Sequence, residues 1–215
     1  MEFIELLHER LQQNLPGIDA QMKMAPPVRT KEMQVPDNVR LGAVMILLLE
    51  QDKTWHTILI RRTEDGQTHS GQISFPGGKM DQTDEHLMAT ALRECEEEIG
   101  VKIHEIEVLG NLSPLFIPPS NFLVTPTVGL IKGLPMFKAS EKEVQEIIKV
   151  PLDLLFDKSI KSEMAVRRSD NKEISMLAPA YTLHEDIVIW GATAMMISEL
   201  ETLLAEIKLN ETETK

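Results

Sequence analysis

The chain has 215 residues, 42% hydrophobic and 26% charged, which favours one globular domain with extra terminal elements and a core that needs no disulfide or structural metal. The net charge of −12 argues against a nucleic-acid grip built on counterion release and against an anionic membrane surface. It leaves a phosphorylated substrate open, because a bound divalent cation reverses the local charge. Aromatic residues make up only 4%, so Leu, Ile, Val and the 12 Met must fill most of the core. The lone Cys95 excludes an internal disulfide framework and suits a reducing compartment. The first residues carry acids and lack an apolar signal core, and runs such as Val44 to Leu49 are too short to cross a bilayer. A cytoplasmic protein is expected.

In chain order, Phe3, Leu6, Leu7 and Leu11 are spaced for a helix over residues 2–14, stopped by Pro16-Gly17. A polar stretch with Pro26, Pro27 and Pro36 then reads as an extended arm to about residue 37, ahead of a main domain over 38–210. Val44 to Leu49 is a buried strand, and Trp55 to Arg61 returns as its hairpin partner. Gly66 to Gly78 is a loop rich in Gly, Ser and Pro. Thr83 or Asp84 can cap a helix over Glu85–Ile99, with Gly100 as its stop.

Two strands are expected around Glu107–Leu115 and Phe122–Ile131. Ser140 and Glu143 have capping-box spacing, yet the segment that follows is strand-like up to Pro151. Residues 157–176 read as a hairpin or an excursion. Trp190, Ala194, Ile197, Leu200, Leu204 and Ile207 mark a long amphipathic helix from about Ile189 to Leu209. Because the first strands pair as a hairpin while helices interleave later, an α+β fold with a mixed sheet covered by helices fits better than a purely parallel one.

The informative segment is Arg93-Glu94-Cys95-Glu96-Glu97-Glu98-Ile99-Gly100-Val101. On a helix, Glu94, Glu97 and Glu98 share one face, while Met88, Ala91, Leu92, Cys95 and Ile99 form an apolar stripe. Three carboxylates this close repel one another unless a cation sits among them, and hard cations such as Mg²⁺ take oxygen ligands from carboxylates and phosphates. On its own such a face is as readily a solvated acidic surface. The context adds Arg93, the C-terminal Gly100, and the upstream loop Phe75-Pro76-Gly77-Gly78.

This segment resembles the second half of the Nudix box, Arg-Glu-U-x-Glu-Glu-x-Gly-U with U aliphatic or similar. The resemblance implies an α/β/α sandwich with a mixed sheet and a hydrolase dependent on Mg²⁺ or Mn²⁺. It implies that Glu94 and Glu98 ligate the metal, that Glu97 shares ligation or holds a metal-bound water, and that Arg93 fixes a catalytic glutamate. Gly77 and Gly78 would bring backbone close to metal or phosphate, and Lys79 would touch phosphate or lie exposed. Glu85 precedes Arg93 at the box spacing, but six residues rather than five separate it from Gly78, and the five-residue spacing selects Asp84. Candidates for the general base are Glu97 on the helix and, because the resemblance implies that a base can come from a distant loop, Glu143 and Glu146.

The upstream run through Arg62, His69, Gly71 and Phe75–Gly78 resembles the extra motif of coenzyme A pyrophosphatases within that family. It implies hydrolysis of coenzyme A or a derivative to phosphopantetheine and adenosine 3′,5′-bisphosphate, with Arg62 and His69 toward the substrate. Two positions depart from the motif. Gln67 stands where it has a second Arg, and Thr63 where it has a small residue. A lost guanidinium removes a bidentate phosphate contact, which keeps ADP-ribose, dinucleotides and nucleoside triphosphates as rival substrates. A nucleotide-sensing domain without turnover is a third reading, although all four box residues Arg93, Glu94, Glu97 and Glu98 are present. A homodimer is compatible with the sequence.

Overall fold

The fold comes from a computed structural model that describes residues 2–63, 71–167, 175–184 and 186–213. Helix α1 spans Glu2–Leu11, shorter than the spacing predicts. Where an extended arm is expected, α2 (Gly17–Gln21) and a 3-10 turn (Met22–Met24) form instead. Tertiary packing drives this, since Ala20, Gln21 and Met24 are buried and α2 packs on the C-terminal helix. The fully buried Glu199 of that helix accepts from Gly17 N at 2.9 Å, Gln21 Nε2 at 2.9 Å and Ser113 N at 3.3 Å.

Strands β1 (Arg40–Gln51) and β2 (Thr54–Arg62) form the expected hairpin, with Gln51 opposite Thr54. The turn residues Asp52 and Lys53 both have positive φ, 52° and 62°, the turn whose twist matches that of paired strands. After β3 (Ile73–Ser74) and β4 (Gly77–Lys79) comes α3 (Leu87–Ile99). It is followed by β5 (Ile106–Asn111), β6 (Leu115–Ile117), β7 (Phe122–Ile131), β8 (Val144–Pro151) and the short α4 (Leu152–Leu155). The chain ends in β9 (Lys161–Arg167), β10 (Ser175–His184), β11 (Ile187–Trp190) and α5 (Gly191–Glu213). Trp190 therefore closes a strand rather than opening the helix. Ser140 ends in a turn, its carbonyl accepting from Glu143 N and Val144 N, and β8 follows as the composition suggests.

The main sheet is mixed. β1 pairs antiparallel with β2 and parallel with β7, and a separate three-stranded sheet holds β9, β10 and β11. Alternation along β1 sends Ala43, Met45, Leu47 and Leu49 to one face, against Ala91, Cys95 and Ile99 of α3. Ile46 and Leu48 go to the other face, in one cluster with Leu7 and Leu11 of α1 and Ile197, Leu200 and Leu204 of α5. Helices on both faces make the α/β/α sandwich. They also explain why Val44–Leu49 is a solid apolar run, because a strand covered twice needs no polar side. Each fully buried Leu or Ile here contributes about 1.5–3 kcal/mol. Among the described residues no helix is long and apolar enough to cross a membrane.

One local feature places the site. β2 pairs with β1 only at its start, and β4 takes over beside Gly42, Ala43 and Val44. The end of β2, the Gly77-Gly78 strand and the C-terminal half of α3 thereby converge.

Candidate active site

Helix α3 begins at the N-cap His86, whose Nδ1 accepts from Ala89 N at 3.0 Å. Neither Thr83 nor Asp84 is the cap, because the Asp84 carboxylate is committed to Arg93. The helix ends as expected at Gly100, left-handed with φ 77°. Burial of Ala91, Cys95 and Ile99 fixes its rotation, and the three glutamates then differ sharply in environment. The side chain of Glu98 is 1% exposed, that of Glu94 14% and that of Glu97 56%.

The two glycines of β4 are required by close approach. A Cβ on Gly78 would lie 2.5 Å from the Glu94 carboxylate, and one on Gly77 would lie 2.3 Å from the Ala43 carbonyl oxygen. Freed of a side chain, Gly77 donates its N–H to Glu98 Oε2 at 2.8 Å. Glu98 Oε1 faces Arg62 Nη1 at 3.3 Å. Burial pushes the Glu98 carboxyl up to about 7, against the pull of the Gly77 N–H and the Arg62 charge, and the charges of Glu94 and Glu143 add to the rise. Glu94 is also raised, chiefly by burial and further by Glu97 and Glu143, with Arg93 opposing.

Arg93 is the hub of a network. It donates to Asp84 Oδ1 at 2.9 Å and Oδ2 at 2.8 Å, to Glu94 at 2.9 Å, to Glu97 at 3.1 Å and to the Lys79 carbonyl at 3.1 Å. Its hydrogen bonds hold the Asp84 carboxyl well below the usual range, assisted by Asp81 N–H and the Thr90 hydroxyl. Lys79 enters through that carbonyl, and its side chain is exposed.

Glu143 is exposed, and its charge is felt at both Glu94 and Glu98. Thr63 N donates to its carbonyl, which ties this loop to the end of β2. Glu146 instead pairs with Arg61 at 3.1 Å, beside the contacts of Arg61 to Asp186. His69 and Gln67 lie outside the described residues. Cys95 is core, its thiol pushed up to about 12 by burial, which suits neither a nucleophile nor a ligand. Among the described residues no three acidic, imidazole or thiol groups are arranged to hold a metal as they stand. Glu97 turns to Arg93 and Glu98 to Arg62.

Residues 39–167 match the family model of the NUDIX domain. The chain belongs to the Nudix family. A Nudix hydrolase NudL of Pectobacterium atrosepticum is 33% identical over 186 residues, covering 86% of this chain and 91% of the relative. One from Photorhabdus laumondii is 33% identical over 180 residues, covering 84% and 91%. A solved Nudix hydrolase from M. smegmatis, RenU, is 13% identical with a TM-score of 0.49, over 86% of this chain and 96% of that one. The chain is a pyrophosphatase-type Nudix hydrolase.

Within the Nudix box, the longer loop has a structural consequence. The acid that chelates the box arginine is Asp84, while Glu85 is exposed outside the helix. Spacing from Gly78 selects Asp84 and spacing from Arg93 selects Glu85. The fold resolves the conflict in favour of Asp84, two residues ahead of the cap His86, whose carboxylate meets Thr90 and Arg93 on the first turns of the helix. Thr90, which donates to Asp84 at 2.9 Å, is the member of this network that sequence reasoning misses. A buried hydroxyl one turn before the arginine, among Ala89, Ala91 and Leu92, is the signal that could have found it.

Proposed function

We propose that this Nudix hydrolase cleaves the pyrophosphate bond of coenzyme A or a derivative, releasing phosphopantetheine and adenosine 3′,5′-bisphosphate. The observation that carries the catalytic half is Glu98, a buried carboxylate met by one N–H and one guanidinium, close enough to Glu94 and Glu143 to be pushed toward neutrality. Such a site is completed by a hard cation. Glu94 and Glu98 supply the oxygen donors, and Glu97 joins them if it turns from Arg93. Mg²⁺ or Mn²⁺ would polarise the phosphoryl oxygens and lower the pKa of a bound water.

The protein's own groups do the rest. Gly77 holds Glu98 by a backbone hydrogen bond, and Arg93 holds Glu94 and Glu97 from the outer side. Glu143 takes the proton of the attacking water, since Glu97 is tied to Arg93 and Glu146 to Arg61. Arg62, with His69 as the motif resemblance implies, binds the phosphates. The coenzyme A assignment rests on the run from Arg62 through Phe75–Gly78. Thr63 and Gln67 favour a second reading, a Nudix pyrophosphatase of ADP-ribose or dinucleotides, because the second arginine of that motif is missing.

The test is incubation with Mg²⁺ or Mn²⁺ and coenzyme A, its disulfide, acetyl-coenzyme A, ADP-ribose, NADH and nucleoside triphosphates, with products resolved by mass. Release of phosphopantetheine, lost in Glu98→Gln, supports the leading reading. Cleavage confined to the other nucleotides moves it to the second, and binding without cleavage of any substrate defeats both.

A further inference from the structure

Two arginines meet the carboxylates of the site, and they are held in opposite ways. Arg93 makes five hydrogen bonds to four residues. Among the described residues, Arg62 rests on Glu98 through Nη1 alone at 3.3 Å, long for a charge-assisted bond, and its side chain is 34% exposed. Glu98 is nearly inaccessible, and a buried carboxylate without a positive neighbour is strongly destabilising.

We propose that Arg62 is a stand-in cation, which neutralises Glu98 in the metal-free site and is released toward the substrate phosphates when a divalent ion takes that carboxylate. This rests on the metal-ligand reading of Glu98 given above. Three features support it. Gly77 holds the other oxygen of Glu98, so the carboxylate keeps its place when Arg62 leaves. The backbone of Arg62 is anchored in β2, its N–H donating to the Gln72 carbonyl at 3.1 Å, so release moves only the side chain. A guanidinium carries five N–H donors in a fork that fits phosphate oxygens, and the Glu98 contact uses one of them. A divalent ion and a guanidinium on one carboxylate repel each other, and the half-buried arginine, held by one long bond among the described residues, is the partner displaced.

The handover makes metal and phosphate binding mutually reinforcing beyond any direct metal–phosphate contact, because a bound metal frees the arginine. Linkage then requires that a phosphate ligand tighten metal binding through Arg62. The probes are Mn²⁺ alone, followed by electron paramagnetic resonance or calorimetry, and Mn²⁺ with methylene diphosphonate, a pyrophosphate mimic that is not cleaved.

Removing a unit charge beside the site leads us to expect Arg62→Ala to bind Mn²⁺ alone about tenfold more tightly than the wild type. The tightening of Mn²⁺ binding by diphosphonate should shrink by a similar factor. Arg62→Lys, which keeps the charge without the fork, should match the wild type for Mn²⁺ alone and lose most of the added tightening. Thermal melting of each variant separates these effects from misfolding. Equal or weaker Mn²⁺ binding in a folded Arg62→Ala overturns the handover while leaving the metal reading intact. No Mn²⁺ binding to the wild type removes the metal reading and the handover together.

Discussion

Two glutamates are buried among the described residues, and their surroundings could hardly differ more. Glu199 in α5 receives three N–H donors, from Gly17, Gln21 and Ser113, and ties the N-terminal segment to the C-terminal helix. Glu98 in α3 receives one N–H and a loose guanidinium, with two other carboxylates within electrostatic reach. A buried charge given a complete set of donors is a structural tie. One with fewer donors among the described residues, and with like charges nearby, is the arrangement that the proposed metal role of Glu98 calls for. The first arrangement stabilises the fold and the second weakens it, a common trade at catalytic centres.

The strongest way to break this comparison is Glu98→Gln, which should lower turnover by about 10²–10³-fold, the scale set by losing one electrostatic stabiliser of a transition state. In the metal-free protein the same change should stabilise. The Glu98 carboxyl is raised from 4.5 to about 7. A raised carboxyl contributes stability that is complete below pH 4.5 and lost as pH rises through 7. Wild-type melting without metal should therefore fall across that window by at most about 3 kcal/mol of stability, and the Gln variant should be flatter there. A metal-free Glu98→Gln that melts lower than the wild type at pH 8 would sink the idea that Glu98 is under-neutralised.

The converse holds for Glu199. Replacement by Ala leaves buried N–H groups without an acceptor, at about 1–3 kcal/mol, which shifts the melting midpoint of a chain this size down by roughly 2–12 °C. KM and kcat of the protein that remains folded should be unchanged, because Glu199 sits on α5, which packs on the opposite sheet face from α3. A catalytic defect at a temperature where the variant is fully folded would show that the N-terminal segment reaches the site.

Much of this could be read from the residues. Runs with clear periodicity, such as Val44–Leu49, Phe122–Ile131 and the α5 stripe, gave strands and a helix where expected. The Arg93–Gly100 pattern placed Glu94, Glu97, Glu98 and Arg93 together because helical spacing is local geometry. What could not be read depends on contacts distant in sequence. Gly17–Gln21 follows Pro16 and is too short to show a helical period, and it is helical because α5 packs on it and Glu199 gathers its donors. Whether Glu146 or Glu143 was available to the site turned on Arg61, which faces away from Arg62 by strand alternation and takes Glu146. Pattern alone also could not choose between Asp84 and Glu85, since each satisfied one of the two spacings.

That choice offers the finest test of the contrast between a satisfied charge and a spare one. Asp84 has a buried carboxylate with Arg93 on both oxygens, whereas the neighbouring Glu85 is exposed. Asp84→Ala should destabilise by about 2 kcal/mol, the scale for removing a charged hydrogen-bond partner, and should lower kcat as Arg93 loses its grip on Glu94 and Glu97. Acid titration should show the same asymmetry. Asp84 is held well below its ordinary 3.8, so its contribution is present above that pH and is lost as pH falls through the lower folded value. Melting of the wild type at pH 3 should therefore retain part of the advantage over Asp84→Ala that it has at pH 7. Glu85→Ala should move stability by no more than about 0.5 kcal/mol and leave kcat alone, as for a surface substitution. If the two substitutions exchanged these outcomes, the spacing from Arg93 would have been the better guide, and the network around Asp84 would be an incidental surface pair.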